Sequence, residues 1–319
     1  MAEQRQKNLE TRKEKLSGCK KCSNRETRDE NLEDGICKYN KSTLDGLSIR
    51  CVGDWANDKI YYLVQYFGIF ANGMKNKWNS SLRYIELCSG PGRCSTRDGY
   101  EQDGTALSIL NHEAFQHITD AIFIDYNSTA VETLNQRIIK LGKSNSARAV
   151  LGDYNYPDTI VNAMRAKPFS GLTLCLIDPT ACSIPFETIK AIATEAQNKC
   201  DFIISFFDKT DFHRNSVMAT LESSHVSMQQ RYLDFLGSDD FFMKPEVIDA
   251  AKIGNHRILS ELFLKEYRKS LEDLGFCHQD IVPIGRFYQL LFATRHERGM
   301  YFWKQARKYS PKGQAEFSF

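Results

Sequence analysis

The stretch ELCSGPGR occupies residues 86–93 and closes a short apolar run that begins at Leu82. Small residues at 88–92 let the backbone come close to a ligand, and the N–H groups that follow face a polar or negative group. A dinucleotide fingerprint would have its third glycine at Ser95, and the chain contains no phosphate-loop motif. The sequence therefore predicts a cofactor site that belongs to neither of these types. The residues expected to bind the cofactor at this turn are Glu86, Cys88, Gly90 and Gly92.

Further apolar runs follow at regular intervals, and each is separated from the next by a segment long enough for a helix. Nearly continuous hydrophobicity is typical of strands covered on both faces, and strand–helix alternation indicates a parallel, doubly wound sheet. The end of the chain differs, because two apolar stretches joined by a short turn at Gly285 must pair antiparallel. The sequence therefore predicts an α/β fold, a class I methyltransferase-like Rossmann sheet that is parallel with an antiparallel terminal hairpin. The predicted strands are 82–88, 121–125, 147–151, 172–178, 202–207, 278–283 and 287–295.

Acidic residues stand at the ends of four successive predicted strands, where ligands of open α/β sheets bind. Glu86 is expected near an ammonium group, and Asp125 is suited to two ribose hydroxyls. Asp153 is placed for an adenine amino group, and Asp178-Pro179 lies beside the point where a methyl group would be delivered. Taken singly, each acid is equally well interpreted as a helix cap or turn residue. Together they predict S-adenosylmethionine as the cofactor, with Asp178 and Pro179 as the catalytic positions.

A polar loop at 93–103 leaves the glycine motif and is expected to be either a lid over the site or a solvated surface loop. Cys182 is interpreted as a buried structural cysteine rather than a nucleophile. The segment 208–214 follows the fifth strand and either borders the substrate pocket or enters a helix. The loop residues considered for substrate contact are Arg93, Arg97, Asp98, Tyr100 and Glu101.

Four cysteines precede the Rossmann domain in the pattern C-x2-C-x14-C-x13-C, within a region short of large apolar side chains. Four thiolates form a tetrahedral zinc site, and metal binding then drives the folding of such a segment. An iron–sulfur cluster accepts the same ligands and is the less favoured choice, beside four unrelated thiols. The chain divides into a charged lead (1–16), a four-cysteine module (17–53) and a methyltransferase-like domain (54–319). The predicted zinc ligands are Cys19, Cys22, Cys37 and Cys51.

Composition is that of a globular protein, with 42% hydrophobic and 26% charged residues. Residues 1–28 carry nine Lys and Arg against four Glu, which suits either contact with nucleic-acid phosphates or a solvated tail. The chain has no apolar stretch of about 18 residues and no apolar secretory segment at its start. A cytoplasmic protein that does not cross a membrane is therefore expected.

Over most of residues 55–308 the chain resembles the three-Cys-motif partner (TcmP) family. The resemblance rests on Trp55 and Lys59 at the start of the first long helix and on YIELCSGPG at 84–92. Shorter matching motifs stand at 104–110, 123–126, 152–155, 177–179 and 287–299. The resemblance implies a methyltransferase-like domain and a radical-enzyme-like partner protein that bears three cysteines. It does not extend to the N-terminal cysteines and implies no substrate.

Two functions are consistent with these features. The leading hypothesis is an S-adenosylmethionine-dependent methyltransferase that acts on a nucleic acid, nucleotide or protein, with the zinc module used for docking. The alternative is a non-catalytic adaptor that keeps the methyltransferase fold as a platform for the radical-enzyme-like partner. Thr180-Ala181 favours the alternative, because amino methyltransferases often carry proline and an aromatic residue there. Nucleic-acid binding through the cysteine module and the basic arm is compatible with both.

Overall fold

The computed structural model describes residues 40–53, 55–96 and 100–311, together with the strand pairing at 32–33 and 36–37. Its strands form a two-stranded pair, a small three-stranded sheet and a central seven-stranded sheet. In chain order they are β1 (Leu32–Glu33), β2 (Ile36–Cys37), β3 (Arg50–Cys51), β4 (Leu82–Leu87), β5 (Arg93–Ser95), β6 (Glu101–Asp103), β7 (Ile118–Asp125), β8 (Ala147–Leu151), β9 (Leu172–Ile177), β10 (Cys200–Phe206), β11 (His278–Ile284) and β12 (Tyr288–Thr294).

The central sheet has the order β11-β12-β10-β9-β4-β7-β8. Strands β4, β7, β8, β9 and β10 run parallel, whereas β12 pairs antiparallel with both β10 and β11. The strand order reverses between β4 and β9, so the carboxyl ends of these two strands form the crevice where such sheets bind ligands. This order confirms the predicted class I methyltransferase-like sheet with its antiparallel terminal hairpin.

Helices cover both faces of the central sheet. The sheet separates the interior into two apolar clusters, one on each face. Alternate strand residues enter opposite clusters, so that Tyr84 belongs to one and Ile85 to the other. A fully buried apolar side chain of this kind contributes about 1.5–3 kcal/mol. The α-helices are α1 (Ala56–Met74), α2 (Thr105–Asn111), α3 (Ser128–Lys140), α4 (Pro157–Arg165), α5 (Phe186–Glu195), α6 (His213–Leu221), α7 (Val226–Leu236), α8 (Pro245–Lys252), α9 (His256–Asp273) and α10 (Glu297–Ala306).

The first long helix, α1, packs its aromatic face against the sheet. Tyr66, Phe67 and Phe70 are fully buried there, and the Tyr66 hydroxyl donates a hydrogen bond of 2.8 Å to Asp201 in β10. Burial of Asp201 raises the pKa of that carboxyl, and the bond from Tyr66 partly offsets the rise. The helix is thereby fixed over the parallel strands, with its first turn near the carboxyl edge of β9.

The loop at 93–103 contains regular structure that the sequence pattern did not reveal. Strands β5 and β6 pair antiparallel, and β3 from the N-terminal segment adds to β5 in parallel, with Arg50 opposite Cys94 and Cys51 opposite Ser95. The glycine turn that precedes β5 is therefore flanked by the segment 40–53. In the part of the chain that the structure describes, no helix is both long and apolar enough to cross a membrane.

Candidate active site

The glycine-rich turn after β4 has left-handed backbone at three positions, with φ of +64° at Cys88, +62° at Gly90 and +92° at Gly92. Such a conformation costs a residue other than glycine about 1–2 kcal/mol, which Cys88 bears. A Cβ added to Gly92 would lie 2.7 Å from Leu134 of α3, so the turn packs tightly on this side. A Cβ on Gly90 would meet, among the described residues beyond its two chain neighbours, the side chain of Arg50 alone, at 3.8 Å. The turn is thus tightly packed against α3 at Gly92 and leaves room for a ligand at Gly90.

Asp125 connects the end of β7 to this turn. One oxygen of its buried carboxylate accepts the Gly90 N–H at 2.8 Å, and the other accepts the Asn127 N–H at 2.9 Å. Each carboxylate oxygen has a second acceptor position, so the residue retains capacity to bind two hydroxyl groups. The sequence placed Asp125 at a ribose-binding position, and the structure brings it into direct contact with the glycine turn.

Asp153 follows β8 at the neighbouring position along the sheet. Its Oδ1 accepts from the backbone N–H of Asn155 at 2.9 Å and from the Asn155 side-chain amide at 2.8 Å. Its Oδ2 makes no hydrogen bond within the described residues. The half-buried side chain therefore has one oxygen held by its own turn and one oxygen available to a ligand.

Glu86, predicted at the end of the first strand near the cofactor's ammonium group, is the last residue but one of β4. Its side chain is fully buried on the face that carries Tyr84, two residues earlier, and it accepts hydrogen bonds from Tyr84 and from the Thr105 hydroxyl of α2. Burial raises the pKa of Glu86 to about 8, so the side chain is mainly neutral at pH 7. The expected carboxylate at the cofactor's ammonium group is therefore, in this structure, a buried acid beneath the turn.

Asp178 lies across the crevice, at the end of β9, and is held from two sides. Lys59 of α1 forms an ion pair with its Oδ2, and the Ser205 hydroxyl of β10 donates to its Oδ1 at 2.6 Å. Only 13% of the Lys59 side chain and 14% of the Asp178 side chain are exposed, so water weakens this pair little. Pro179 is buried beside it, whereas Thr180 is exposed. The sequence analysis missed Lys59 as a site residue, although its place in the resembling motif is a signal for it.

A second buried acid, Asp208, lies in the π-helical turn 208–212 that follows β10. Its Oδ2 accepts a hydrogen bond of 2.7 Å from the Gln289 amide, and its buried Oδ1 has no partner among the described residues. Burial raises the pKa of Asp208 to about 6. The segment 208–214 thus supplies one buried acid, and π-helical turns of this kind occur frequently at functional sites.

Cys182 is structural, as expected from the sequence. It is fully buried, and burial raises the pKa of its thiol well above the ordinary range, which leaves little thiolate for nucleophilic attack. Its backbone N–H donates to Asp211 at 2.9 Å, and Asp211 in turn pairs with Arg231 at 3.1 Å. These contacts fix the segment that follows Asp178.

The hairpin at 93–103 uses its charges internally. Arg93 pairs with Asp103 at 3.1 Å and lies 3.7 Å from Glu101, which also accepts hydrogen bonds from Ser42 and Thr43. Of the residues considered for substrate contact, Arg93 therefore joins the two strands of the hairpin, and Glu101 holds the hairpin to the N-terminal segment. A third, Tyr100, is 65% exposed. The remaining two, Arg97 and Asp98, lie outside the described residues.

Arg137 of α3 anchors the same segment to the glycine turn. Its guanidinium binds both carboxylate oxygens of Asp45, at 2.8 and 2.9 Å, and donates to the Ser48 carbonyl at 2.9 Å and to the Pro91 carbonyl at 2.6 Å. The bond from Arg137 holds the pKa of Asp45 well below its usual range. No local signal marks this arginine, because α3 has the pattern of an ordinary amphipathic helix.

The predicted zinc ligands are only partly within the described structure. Cys51 is exposed at the end of β3, and Cys37 ends β2, where its side chain is not described. Cys19 and Cys22 lie outside the described residues. Among the side chains that are described, no group of three His, Cys, Asp or Glu is placed to hold a metal ion.

No family model matches the chain, and no curated protein matches it. A protein from Legionella pneumophila is similar in structure with a TM-score of 0.44 and 12% identity, covering 82% of this chain and 95% of that one. Magnesium protoporphyrin IX methyltransferase from Synechocystis, solved with bound S-adenosylhomocysteine (SAH), has a TM-score of 0.34 and 14% identity, covering 75% and 85%.

An S-adenosylmethionine-dependent methyltransferase from Clostridium acetobutylicum has a TM-score of 0.30 and 15% identity, covering 50% of this chain. The match spans 54% of that methyltransferase, or about half of its length. The strand order of the central sheet is that of class I methyltransferases, and it identifies the class of fold.

Proposed function

We propose that this chain is an S-adenosylmethionine-dependent methyltransferase. The observation that carries the proposal is the carboxyl edge of the sheet at the reversal between β4 and β9. The glycine turn, Asp125 and Asp153 follow one another on one side of that point, and Asp178 stands on the other. Ligands of open α/β sheets bind at such a point, and this edge presents the groups that a nucleoside with an amino-acid tail requires.

The donor set suits this cofactor better than one that carries phosphates. Carboxylates at Asp125, Asp153 and Asp178 accept hydrogen bonds from hydroxyl and amino groups and attract a cation, whereas they repel phosphates. Two unit charges 4 Å apart interact by about 4 kcal/mol at an effective dielectric constant near 20, so this discrimination is substantial. The buried hydroxyl of Ser89, within the turn, has no hydrogen-bond partner in the described structure. The residues that would hold the cofactor are therefore Ser89 to Gly92, Asp125 and Asp153.

The acceptor side of the crevice is built around Asp178. When bound, S-adenosylmethionine supplies an electrophilic methyl group on a sulfonium centre. Asp178 would orient the attacking group and accept its proton, while Lys59 and Ser205 keep the carboxylate in one orientation. The proposed acceptor is a nucleic acid, a nucleotide or a protein. Thr180-Ala181 does not select among these three, because it lacks the proline and aromatic residue that amino methyltransferases often carry there.

The proposal predicts that cofactor binding and methyl transfer separate at Asp178. Calorimetric titration should show binding of S-adenosylmethionine and SAH, and a tritiated-methyl assay across DNA, RNA, peptide and cell-extract pools should identify the acceptor class. Asp178→Asn should lower the transfer rate about 100-fold or more, because proton transfer by a positioned side chain contributes roughly that factor. Its affinity for the cofactor should change little, and Asp158→Asn, at an exposed site in α4, should leave both unchanged.

Two results would count against this proposal in different ways. If neither S-adenosylmethionine nor SAH binds, the cofactor assignment is contradicted. Binding without transfer to any pool favours the non-catalytic adaptor, for which we would expect stable co-purification with a radical-enzyme-like partner.

We also propose that Cys19, Cys22, Cys37 and Cys51 bind one zinc ion. The exposure of Cys51 at the end of β3 supports this, since a ligand at that place can meet thiolates from the preceding segment. Metal analysis of protein purified without oxygen should give about one zinc per chain, and Cys51→Ser should lower that content sharply. Iron with sulfide in place of zinc would contradict the assignment, and Cys277→Ser, at another exposed cysteine, is the matched control.

A further inference from the structure

Arg50 comes from the N-terminal segment yet lies against the cofactor turn. It stands in β3, opposite Cys94 of β5, and its Cδ and Nη1 atoms lie 3.8 Å from the position that a Cβ on Gly90 would take. Apart from the two residues flanking Gly90, no other described residue comes within 4 Å of that position. The guanidinium also lies close enough to the Cys88 thiol to lower its pKa, against the larger effect of burial, which raises it. An exposed cationic side chain thus borders the open face of the turn.

The charge of Arg50 is not used within the described structure. The residue is exposed, and no hydrogen bond or ion pair connects it to any of the described residues. The neighbouring arginines behave differently, since Arg93 pairs with Asp103 and Arg137 binds Asp45. Lys59, the nearest cation across the crevice, is paired with Asp178. Arg50 is therefore available to an anionic group placed over the turn.

The position of that group follows from the proposed function, on which this inference rests. With ribose at Asp125 and adenine at Asp153, the nucleoside lies over the ends of β7 and β8. The amino-acid end of the cofactor then falls over the next strand, β4, and its turn. A carboxylate at that place needs a cationic donor, and a guanidinium matches carboxylate geometry with two parallel hydrogen bonds.

We propose that Arg50 binds the carboxylate of the cofactor's amino-acid portion, so that the N-terminal segment completes the cofactor site. The segment is already held in place by the bonds from Arg137 to Asp45 and Ser48 and by Glu101. A donor fixed in this way loses less conformational entropy on binding than one on a free chain. Cofactor affinity is thereby linked to the order of residues 40–53.

Two ligands that differ in the amino-acid portion test the assignment. SAH has the carboxylate, whereas 5′-methylthioadenosine shares the nucleoside and the sulfur but lacks the amino acid. We expect Arg50→Gln to weaken SAH binding about 10-fold or more by calorimetry, since a hydrogen bond to a charged group has about that value. The affinity for methylthioadenosine should change less than about twofold, because only a small long-range charge effect remains at an exposed site. Arg50→Lys should give an intermediate loss, and Lys140→Gln, at an exposed position in α3, should change neither affinity.

The outcomes are distinguishable from failure of the proposed function. If the wild-type protein binds neither ligand, the cofactor assignment itself fails. If it binds both, equal losses for the two ligands in Arg50→Gln would show that Arg50 only shapes the turn and would overturn the inference. Unchanged SAH affinity would overturn it as well, including the case in which only the KM of a phosphate-bearing acceptor rises.

Discussion

Replacing Asp125 by alanine should reduce the affinity for S-adenosylmethionine by about 100-fold or more, the largest effect on binding that we expect from a single substitution. Two hydrogen bonds from ribose hydroxyls to a carboxylate contribute about 1.5–3 kcal/mol each, and both disappear. The same substitution removes the acceptor of the Gly90 N–H, so the turn loses an anchor at the moment it must be ordered. Calorimetric titration of the variant measures the combined loss.

A substitution at Asn127 separates the role of the Asp125 carboxylate from damage to the start of α3. The Asn127 side chain caps α3 by accepting the Ala130 N–H at 3.0 Å, and its removal should cost about 1 kcal/mol of stability. Asn127→Ala therefore perturbs the start of α3 but keeps the carboxylate and the backbone N–H that bonds to it. Its cofactor affinity should stay within about threefold of wild type, since caps act chiefly on the helix. If Asp125→Ala binds the cofactor as well as Asn127→Ala does, Asp125 does not bind the ribose.

The strands could be predicted closely because each is a short apolar run, and inner strands such as β4 and β10 are buried along their whole length. The departures have a specific cause in buried polar residues. Strand β7 begins at Ile118 instead of 121, because Asp120 is buried by a 2.8 Å ion pair with Arg83. Strand β10 begins at Cys200 instead of 202, because Asp201 is buried against Tyr66. A prediction from hydrophobicity ends the strand at a charged residue such as Asp120 or Asp201. In the fold, a partner from a distant position offsets the free-energy cost of burying that charge.

The sequence could predict which acidic residues lie at the candidate site, but not the side chains that pair with them. Acids at strand ends have fixed neighbours in sequence, so the places of Asp125, Asp153 and Asp178 follow from the strand order. The partners of these groups come from distant positions, as in the ion pair between Lys59 and Asp178, 119 residues apart. The helical segment between β10 and α9 was likewise missed, because α6 to α8 are short helices that bury their faces only against the rest of the domain.

Replacing Arg137 by methionine should lower the free energy of unfolding by about 3 kcal/mol, because it breaks a buried ion pair by removing one partner. We expect this to be the largest loss of stability from any contact that holds the N-terminal segment to the Rossmann domain. Only 3% of the Arg137 side chain is exposed, and the change leaves Asp45 and the carbonyls of Ser48 and Pro91 without their donor. Urea denaturation measures the loss. Arg165→Met is the matched control, because Arg165 pairs with Glu195 while 64% of its side chain is exposed, and such pairs contribute about 1 kcal/mol or less.

The pH dependence of the same contact gives an independent check. Arg137 lowers the pKa of Asp45 in the folded state, so the ionised carboxylate stabilises the fold above the unfolded pKa of about 4. This contribution is fully present near neutral pH and is lost as the pH falls below that value. The stability difference between wild type and Asp45→Asn should therefore stay constant above about pH 5 and shrink as the pH falls further, because the carboxylate protonates first in the unfolded state and only at lower pH in the folded state.

The two substitutions should also differ in their effect on the cofactor site, and that difference tests the link between the N-terminal segment and the glycine turn. Arg137→Met removes the donor to Pro91 and releases the segment that carries Arg50, so SAH affinity should fall together with stability. Asp45→Asn leaves Arg137 bound to Ser48 and Pro91, and the turn should keep most of its affinity. Equal affinities in the two variants would mean that the segment and the turn are energetically independent. A selective loss in Arg137→Met instead identifies the bonds from Arg137 to the Ser48 and Pro91 carbonyls as the connection between the segment and the cofactor turn.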